Sequence, residues 1–340
     1  MSCDIIIPVW NLVDFTRDCL ESVFSKTKYP FHLIIIDNGS DNQTKEYLFQ
    51  LAQQKKGEIT LLRNEDNLGF IKATNQGIRE SQAPYLCFLN NDTLVTEGWL
   101  TEMVKLAESR QDFDIVNPNS NTFGSRPKKG VSIELYSKRL KNQSGQYSEL
   151  AWATGFCMLV KRRVIEAIGA FDEIYGMGNF EDADFCKRAQ ERGSLSVCAR
   201  AAYVYHRERR SFIRFKKFNQ DFERNKKIFH AKWGNFKRIL YVLTKHDQDY
   251  IKRINPEILK LARQGNIVWI FSKEKNRNSF SKHSNIYVYS INQLFFNLIS
   301  FWRILKRKKK FDNIYLDNKN YFKILNNFTP LHKAQVTYTR

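Results

Sequence analysis

Five short apolar runs between residues 4 and 120 are separated by four stretches of helical spacing, and this alternation narrows the fold more than any other feature of the chain. The runs are DIIIPV (4–9), FHLIIIDNGS (31–40), ITLLRN (59–64), PYLCFLNND (84–92) and FDIVNPNS (113–120). Between them lie FTRDCLESVF (15–24), TKEYLFQLAQQ (44–54), GFIKATNQGIRES (69–81) and GWLTEMVKLAES (98–109). Strands buried on both faces and joined by amphipathic helices make a mainly parallel sheet covered by helices, an α/β fold. On such a sheet ligands bind beyond the carboxyl ends of the strands. Those ends read Pro8-Val9-Trp10-Asn11, Asp37-Asn38-Gly39-Ser40 and Asn90-Asn91-Asp92, all polar or turn-forming.

Charge divides the chain in two. Its 340 residues carry 55 Lys+Arg against 35 Asp+Glu, a formal +20. Residues 1–200 hold 24 basic and 26 acidic residues, a net of −2, whereas residues 201–340 hold 31 and 9, a net of +22. A near-neutral front (residues 1–212) is therefore expected ahead of a basic back (residues 213–340). With 42% apolar and 14% aromatic residues, the chain is excluded from the disordered class. A basic surface suits three kinds of phosphate-bearing partner: nucleic acid, anionic lipid or a phosphorylated small molecule. The opening MSCDIIIPVW has no basic n-region or long apolar h-region, so no signal peptide is expected. No run of about 18 apolar residues suggests a membrane span. Six cysteines without a Cys-x-x-Cys pair read as reduced structural thiols of a cytoplasmic protein.

The strand ends hold the candidate chemistry. Asp37 and Asn91-Asp92 are good turn formers on their own, yet two carboxylates at parallel-strand ends of one sheet can converge on one crevice and suit a divalent cation with oxygen ligands. Gly69 stands near a helix start with Lys72 about one turn in, where backbone N–H groups suit phosphate. NFEDADF (179–185) packs three carboxylates into four positions. Asn179 can cap the following helix, with Glu181 and Asp182 at its positive end and Asp184 paired to Arg188 at i, i+4. The same carboxylates can instead supply a general base to the cleft. His206 closes a strand as a structural residue or a ligand. Residues 121–148 are polar and without periodicity, which reads as a loop or lid.

Taken in order, IIIPVWN, IIIDNGSDN, NEDNLGFIKATNQG, YLCFLNNDTLVTEGWL, ATGFCMLVKRRVIEAIGAFDE, NFEDADFCKRAQERG and YHRER resemble the family 2 glycosyltransferases over residues 3–212. These are inverting enzymes of the Rossmann-like GT-A fold, and the resemblance is to the bacterial branch that builds O-antigen, capsule and other cell-surface polysaccharides, including rhamnosyltransferases. It implies that Pro8, Val9 and Asn11 line the nucleotide pocket, that Asp37 holds the base or ribose, and that Asn67 and Gly69 lie beside the nucleotide and diphosphate. Asn91-Asp92 stands at the family's Asp-x-Asp element, with Asp92 as metal ligand; Asn90 replaces the first carboxylate and removes one charge. Trp10 replaces the usual tyrosine. Asp182 falls at the catalytic base, where a helix N-terminus is expected to keep it ionised. Glu181 and Trp152 are implied to orient the acceptor, and His206 to add a metal ligand. Mg²⁺ or Mn²⁺, a UDP- or dTDP-linked sugar donor and a lipid-linked glycan acceptor follow from the same resemblance.

Beyond residue 212 the chain reads less sharply, as a mixed α/β or helical extension. Phe215, Phe218, Phe222, Phe229 and Trp233 recur at helical spacing within residues 214–240, as a helix packed on the front would require. In residues 291–310, Ile291, Leu294, Phe295, Leu298, Trp302 and Leu305 precede five basic residues, Lys306 to Lys310. Such a helix either lies in an anionic membrane surface or covers a small sheet formed by 266–272, 285–290 and 311–318. The first reading places the protein peripherally at the inner face of the cell membrane. A nucleic-acid-binding role for the basic back leaves the acidic strand ends unexplained, and no nucleic acid partner is expected. A nucleotidyltransferase would need a phosphate loop near residues 8–16, which contain no glycine.

Overall fold

The computed structural model describes residues 1–207, 218–244, 247–273 and 279–339. Two compact units divide the chain, Met1–Ser148 with Trp152–Trp233, and Glu149–Ala151 with Gly234–Arg340. The first unit runs through β1 (Cys3–Val9), α1 (Val13–Lys26), β2 (Phe31–Asn38), α2 (Asn42–Gln54), β3 (Ile59–Asn64), α3 (Phe70–Glu80), β4 (Tyr85–Leu89), β5 (Thr93–Val95), α4 (Trp99–Ser109) and β6 (Phe113–Asn119). It continues with α5 (Ile133–Leu140), β7 (Tyr147–Leu150), β8 (Cys157–Lys161), α6 (Arg162–Ile168), α7 (Glu181–Glu191), β9 (Leu195–His206) and α8 (Phe218–Trp233).

Nine strands form one sheet in the order β3-β2-β1-β4-β8-β6-β9-β5, with β7 beside β9. Strands β3, β2, β1 and β4 run parallel, and β8 is antiparallel to both its neighbours. Ile5, Ile7 and Val9 of the central strand β1 are fully buried against α1 and α4 residues such as Leu20 and Trp99. The expected mainly parallel, helix-covered sheet is the observed one. All six cysteines are buried and free, and burial raises the thiol pKa of Cys19, Cys186 and Cys198 to about 12.

Residues 121–148 are not a plain loop. Ser132 caps α5 by accepting from the Leu135 N–H, Ser137 and Leu140 are buried, and α5 packs on β9. A single eight-residue helix with two buried positions leaves too weak a periodicity to read in sequence. The last strand of the front ends at His206, and residues 208–212 lie outside those described, as do residues 214–217 of the aromatic segment. The rest of that segment divides: α8 belongs to the first unit, and Arg238 already starts a strand.

The second unit holds β10 (Arg238–Leu243), α9 (Gln248–Arg263), β11 (Ile267–Lys273), β12 (Ile286–Ile291), α10 (Phe296–Lys306), β13 (Asn313–Leu316), α11 (Lys319–Asn327), α12 (Thr329–His332) and β14 (Gln335–Tyr338). Its five strands are all parallel, in the order β12-β11-β10-β13-β14. Helix α9 covers one face through Ile251, Ile254 and Ile258, while α10 and α11 cover the other through Phe296, Ile304, Tyr321 and Leu325. Ile291 closes β12 instead of opening the following helix.

Candidate active site

The carboxyl ends of β1 and β4 open into a cleft of about 590 Å³ in the first unit. Pro8, Val9, Asn67, Gly69, Asn91, Asp92, Trp152, Glu181, Asp182 and His206 all line it, so ten residues scattered over two hundred positions meet in one cavity. Asn11 and Asp37 are not among the lining residues. The strand register explains Asp37: it stands opposite Arg63 on β3, and the two carboxylate oxygens are taken by the Arg63 guanidinium and the Ser40 N–H. Asn11, at φ 57°, donates its N–H to Ser40 Oγ at 3.0 Å and accepts from the Asp41 N–H at 2.7 Å. Both residues brace the loops behind the cleft wall.

Asn38 carried no separate signal in the sequence. This buried side chain donates to Asn67 Oδ1 (2.9 Å) and the Gly69 carbonyl (3.2 Å), and accepts from Asn64 and the Leu68 N–H. It thereby shapes the turn that enters α3. Gly69 has φ 86°, and a Cβ there would lie 2.9 Å from Met177 Sδ, so only glycine fits without displacement.

Asp92 and His206 meet because β5 pairs antiparallel with β9, setting Thr93 opposite His206. His206 Nε2 lies 3.1 Å from Asp92 Oδ1, its Nδ1 3.2 Å from Thr122 Oγ1, and its ring stacks on Phe156 at 5.0 Å. Two donor atoms 3.1 Å apart are close to one edge of an octahedron with bonds of about 2.1 Å, the spacing of adjacent ligands on a small divalent cation. Among the described residues no group of three or more His, Cys, Asp or Glu gathers as a cage. Asp92 and His206 are the two cleft residues that would hold a divalent cation, and as they stand they are within hydrogen-bond distance of each other. Phe156 carried no sequence signal as a partner of His206.

The carboxylates of α7 have three distinct environments. Asn179 (φ 78°) and Phe180 (φ 73°) are consecutive left-handed residues; Phe180 holds the N-cap position and no side chain caps the helix. The expected Asn179 cap is therefore replaced by a sharp turn that throws Asp182 toward the cleft. Asp182 accepts from the Gly155 N–H at 3.1 Å and the Ala183 N–H at 2.7 Å. Burial raises its pKa, and these backbone donors offset part of that rise. Glu181 is buried, its Oε2 has no hydrogen-bond partner, and burial followed by the Asp182 charge pushes its carboxyl up to about 8. Burial thus raises both carboxyls of the pair, and backbone N–H groups at the start of α7 oppose the rise. Asp184 is fully buried, and it accepts from Arg188 (2.8 Å), as its spacing predicts, and from Trp233 (2.9 Å) and Lys232 (2.8 Å) of α8. Burial alone would raise its pKa, but these donors hold it below the ordinary value.

Helix α8 was legible only as an aromatic packing helix. Its buried Asn225 donates through Nδ2 to the carbonyls of Tyr175 (2.7 Å), Gly178 (2.8 Å) and Asn179 (3.3 Å), pinning the turn before Glu181 and Asp182.

The profile of glycosyl transferase family 2 matches residues 4–169. The mainly parallel, helix-covered sheet of the first unit has the GT-A arrangement of its structural neighbours, and residues 4–169 are similar to family 2 glycosyltransferases. Glycosyltransferase AglE of Haloferax volcanii is 29% identical over 192 residues, covering 56% of this chain and 61% of that protein. The O-antigen biosynthesis protein RfbC of Myxococcus xanthus is 24% identical over 221 residues, 60% of this chain and 17% of that one. The chain thus spans less than two thirds of either relative. A mannosyltransferase of Pyrobaculum calidifontis, solved with GDP-Man and Mn²⁺, superposes with a TM-score of 0.50 at 17% identity over 68% of each chain, a likeness of fold.

Proposed function

We propose that the first unit transfers a sugar from a nucleoside-diphosphate donor to an acceptor hydroxyl with inversion at the anomeric carbon. The observation that carries this reading is the placement of Asp182, fastened by the Gly155 and Ala183 N–H groups on a cleft that also holds the Asp92–His206 pair. Asp182 takes the proton of the acceptor hydroxyl as its oxygen attacks C1; the bond from C1 to the diphosphate oxygen breaks on the opposite side, and the electron pair leaves with the nucleoside diphosphate. Glu181 stands beside it, its own carboxyl pushed up to about 8 by burial and by the Asp182 charge. Mg²⁺ or Mn²⁺ held by Asp92 and His206 would neutralise charge growing on the departing diphosphate. Pro8, Val9, Asn67, Gly69 and Asn91 border the donor, and Trp152 offers an aromatic wall to the acceptor; Asn11 and Asp37 serve the donor through the loops they brace.

The acceptor in this reading is a cell-surface glycan precursor carried on lipid at the cytoplasmic face of the membrane, with the name of the relative RfbC and the basic back of the chain as support. Among the described residues no helix is long and apolar enough to cross a membrane. The donor is a UDP- or dTDP-linked sugar. Release of nucleoside diphosphate from a panel of nucleotide sugars, with Mn²⁺ and with EDTA, tests the reaction and its metal together. Asp182→Asn should fold, bind donor and lose at least about a hundredfold in turnover; turnover near that of the native protein would sink the assignment.

A further inference from the structure

Helix α10 has two apolar faces, and the fold uses one. Phe296, Ser300 and Ile304 are buried on the parallel sheet of the second unit, with Ser300 Oγ 2.7 Å from the Tyr321 hydroxyl. On the other side Leu294, Phe295, Leu298 and Trp302 are 85%, 59%, 57% and 51% exposed. Leu294, Leu298 and Trp302 recur every four residues, and Lys306 continues the stripe with its Nζ 5.2 Å from the Trp302 ring. Sequence periodicity could not tell a covering helix from a surface helix here because α10 is both.

The charge around this stripe is of one sign. No acidic residue occurs between Glu274 and Asp312, and residues 234–340 hold 21 Lys+Arg against 6 Asp+Glu, a net of +15. Two members of the basic run are engaged in the fold: Arg307 stacks on Trp269 at 4.1 Å, and Lys310 donates to the Leu305 carbonyl. Lys306, Lys308 and Lys309 are exposed and pair with no carboxylate among the described residues.

We infer that this face of α10 docks on an anionic phospholipid bilayer, with Leu294, Phe295, Leu298 and Trp302 entering the headgroup region and Lys306, Lys308 and Lys309 meeting lipid phosphates. Aliphatic and tryptophan side chains beside exposed lysines match the interfacial layer of a membrane, which offers apolar chains below and negative charge above. A protein partner would need acidic complementarity along the lysines but none for the stripe; a nucleic acid would use the lysines and leave Leu294 and Leu298 in water. This surface is independent of the glycosyl-transfer reading, because lipid binding requires no turnover.

The test is co-sedimentation of the full chain with vesicles of phosphatidylcholine alone and with about one third phosphatidylglycerol. Binding to the anionic vesicles only is expected. Lys306→Gln/Lys308→Gln/Lys309→Gln should weaken it roughly 100-fold, at about fivefold per lysine. Leu298→Glu/Trp302→Glu should weaken it at least about tenfold with melting temperature unchanged, since both side chains are exposed. Release of nucleoside diphosphate in vesicle-free solution should be the same in all three proteins, which separates failure of this inference from failure of the enzymatic one. Three results overturn it: no preference for anionic vesicles, a dimer in sedimentation velocity that Leu298→Glu/Trp302→Glu dissolves while vesicles bind nothing, or tighter binding to RNA than to vesicles that the lysine variant abolishes.

Discussion

Replacing Asn225 isolates the contribution of α8 to the catalytic turn. Its Nδ2 supplies two N–H groups to a nest of three carbonyls, at 2.7, 2.8 and 3.3 Å, of which those of Tyr175 and Gly178 belong to buried residues. The Tyr175 carbonyl also accepts from the Gly178 N–H, so Asn225→Ala takes the donor from the Gly178 and the half-buried Asn179 carbonyls, at about 1–3 kcal/mol each, and a loss of roughly 2–5 kcal/mol is expected. For a unit of this size that lowers the melting temperature by roughly 4–20 °C. The effect should not stop at stability. Asn179 and Phe180 sit at positive φ, a conformation costing about 1–3 kcal/mol per residue, and it persists only while its surroundings enforce it. Once released, the turn relaxes and carries the Asp182 carboxylate with it; a shift of about 1 Å can cost a hundredfold in rate. Asn225→Asp sharpens the test. It keeps the oxygen that accepts from Arg224 at 3.1 and 3.0 Å but turns the donor into a second oxygen facing carbonyls. Thermal melting and nucleoside diphosphate release should therefore both suffer in Asn225→Asp at least as much as in Asn225→Ala. Two variants that melt and turn over like the native protein would refute the claim that α8 holds the base in place.

Glu181→Gln tests the raised Glu181 carboxyl. The Glu181 carboxyl is raised to about 8 in the fold, so the stability it contributes is complete below its unfolded value near 4.5 and is lost as pH rises through about 8. Glutamine mimics the neutral acid, so the variant should melt like the native protein near pH 5 and above it at pH 9; parallel melting curves across that range would count against a neutral Glu181. Gly69→Ala forces a methyl to within 2.9 Å of Met177 Sδ at φ 86°. A loss of about 1–3 kcal/mol is expected with weaker nucleotide binding, followed by melting and by UDP titration; unchanged values would mean that Met177 moves aside freely.

Local pattern alone determined much of this protein. Alternating apolar runs and helical spacings specify the parallel sheet, because burial on two faces writes itself into consecutive residues such as Ile5, Ile6 and Ile7. The polar strand ends then mark where a cleft must open, with Asp92 at one of them, while Asp182 and His206 were assigned to it by the family resemblance. Partnership was not legible, since it is set by register and packing across long separations. Asp37 reads as a cleft residue until the pairing of β2 with β3 sets it opposite Arg63. Asn179 reads as a helix cap until Asn225, 46 positions away, bends the chain into a left-handed turn. The proton balance of Glu181 and Asp182 depends on how completely each is desolvated, which spacing does not encode. The two faces of α10 carry similar residues, and only the sheet beneath decides that Phe296 and Ile304 are buried while Leu298 and Trp302 remain outside. Sequence determines which surfaces can be buried, and the tertiary structure decides what they are buried against.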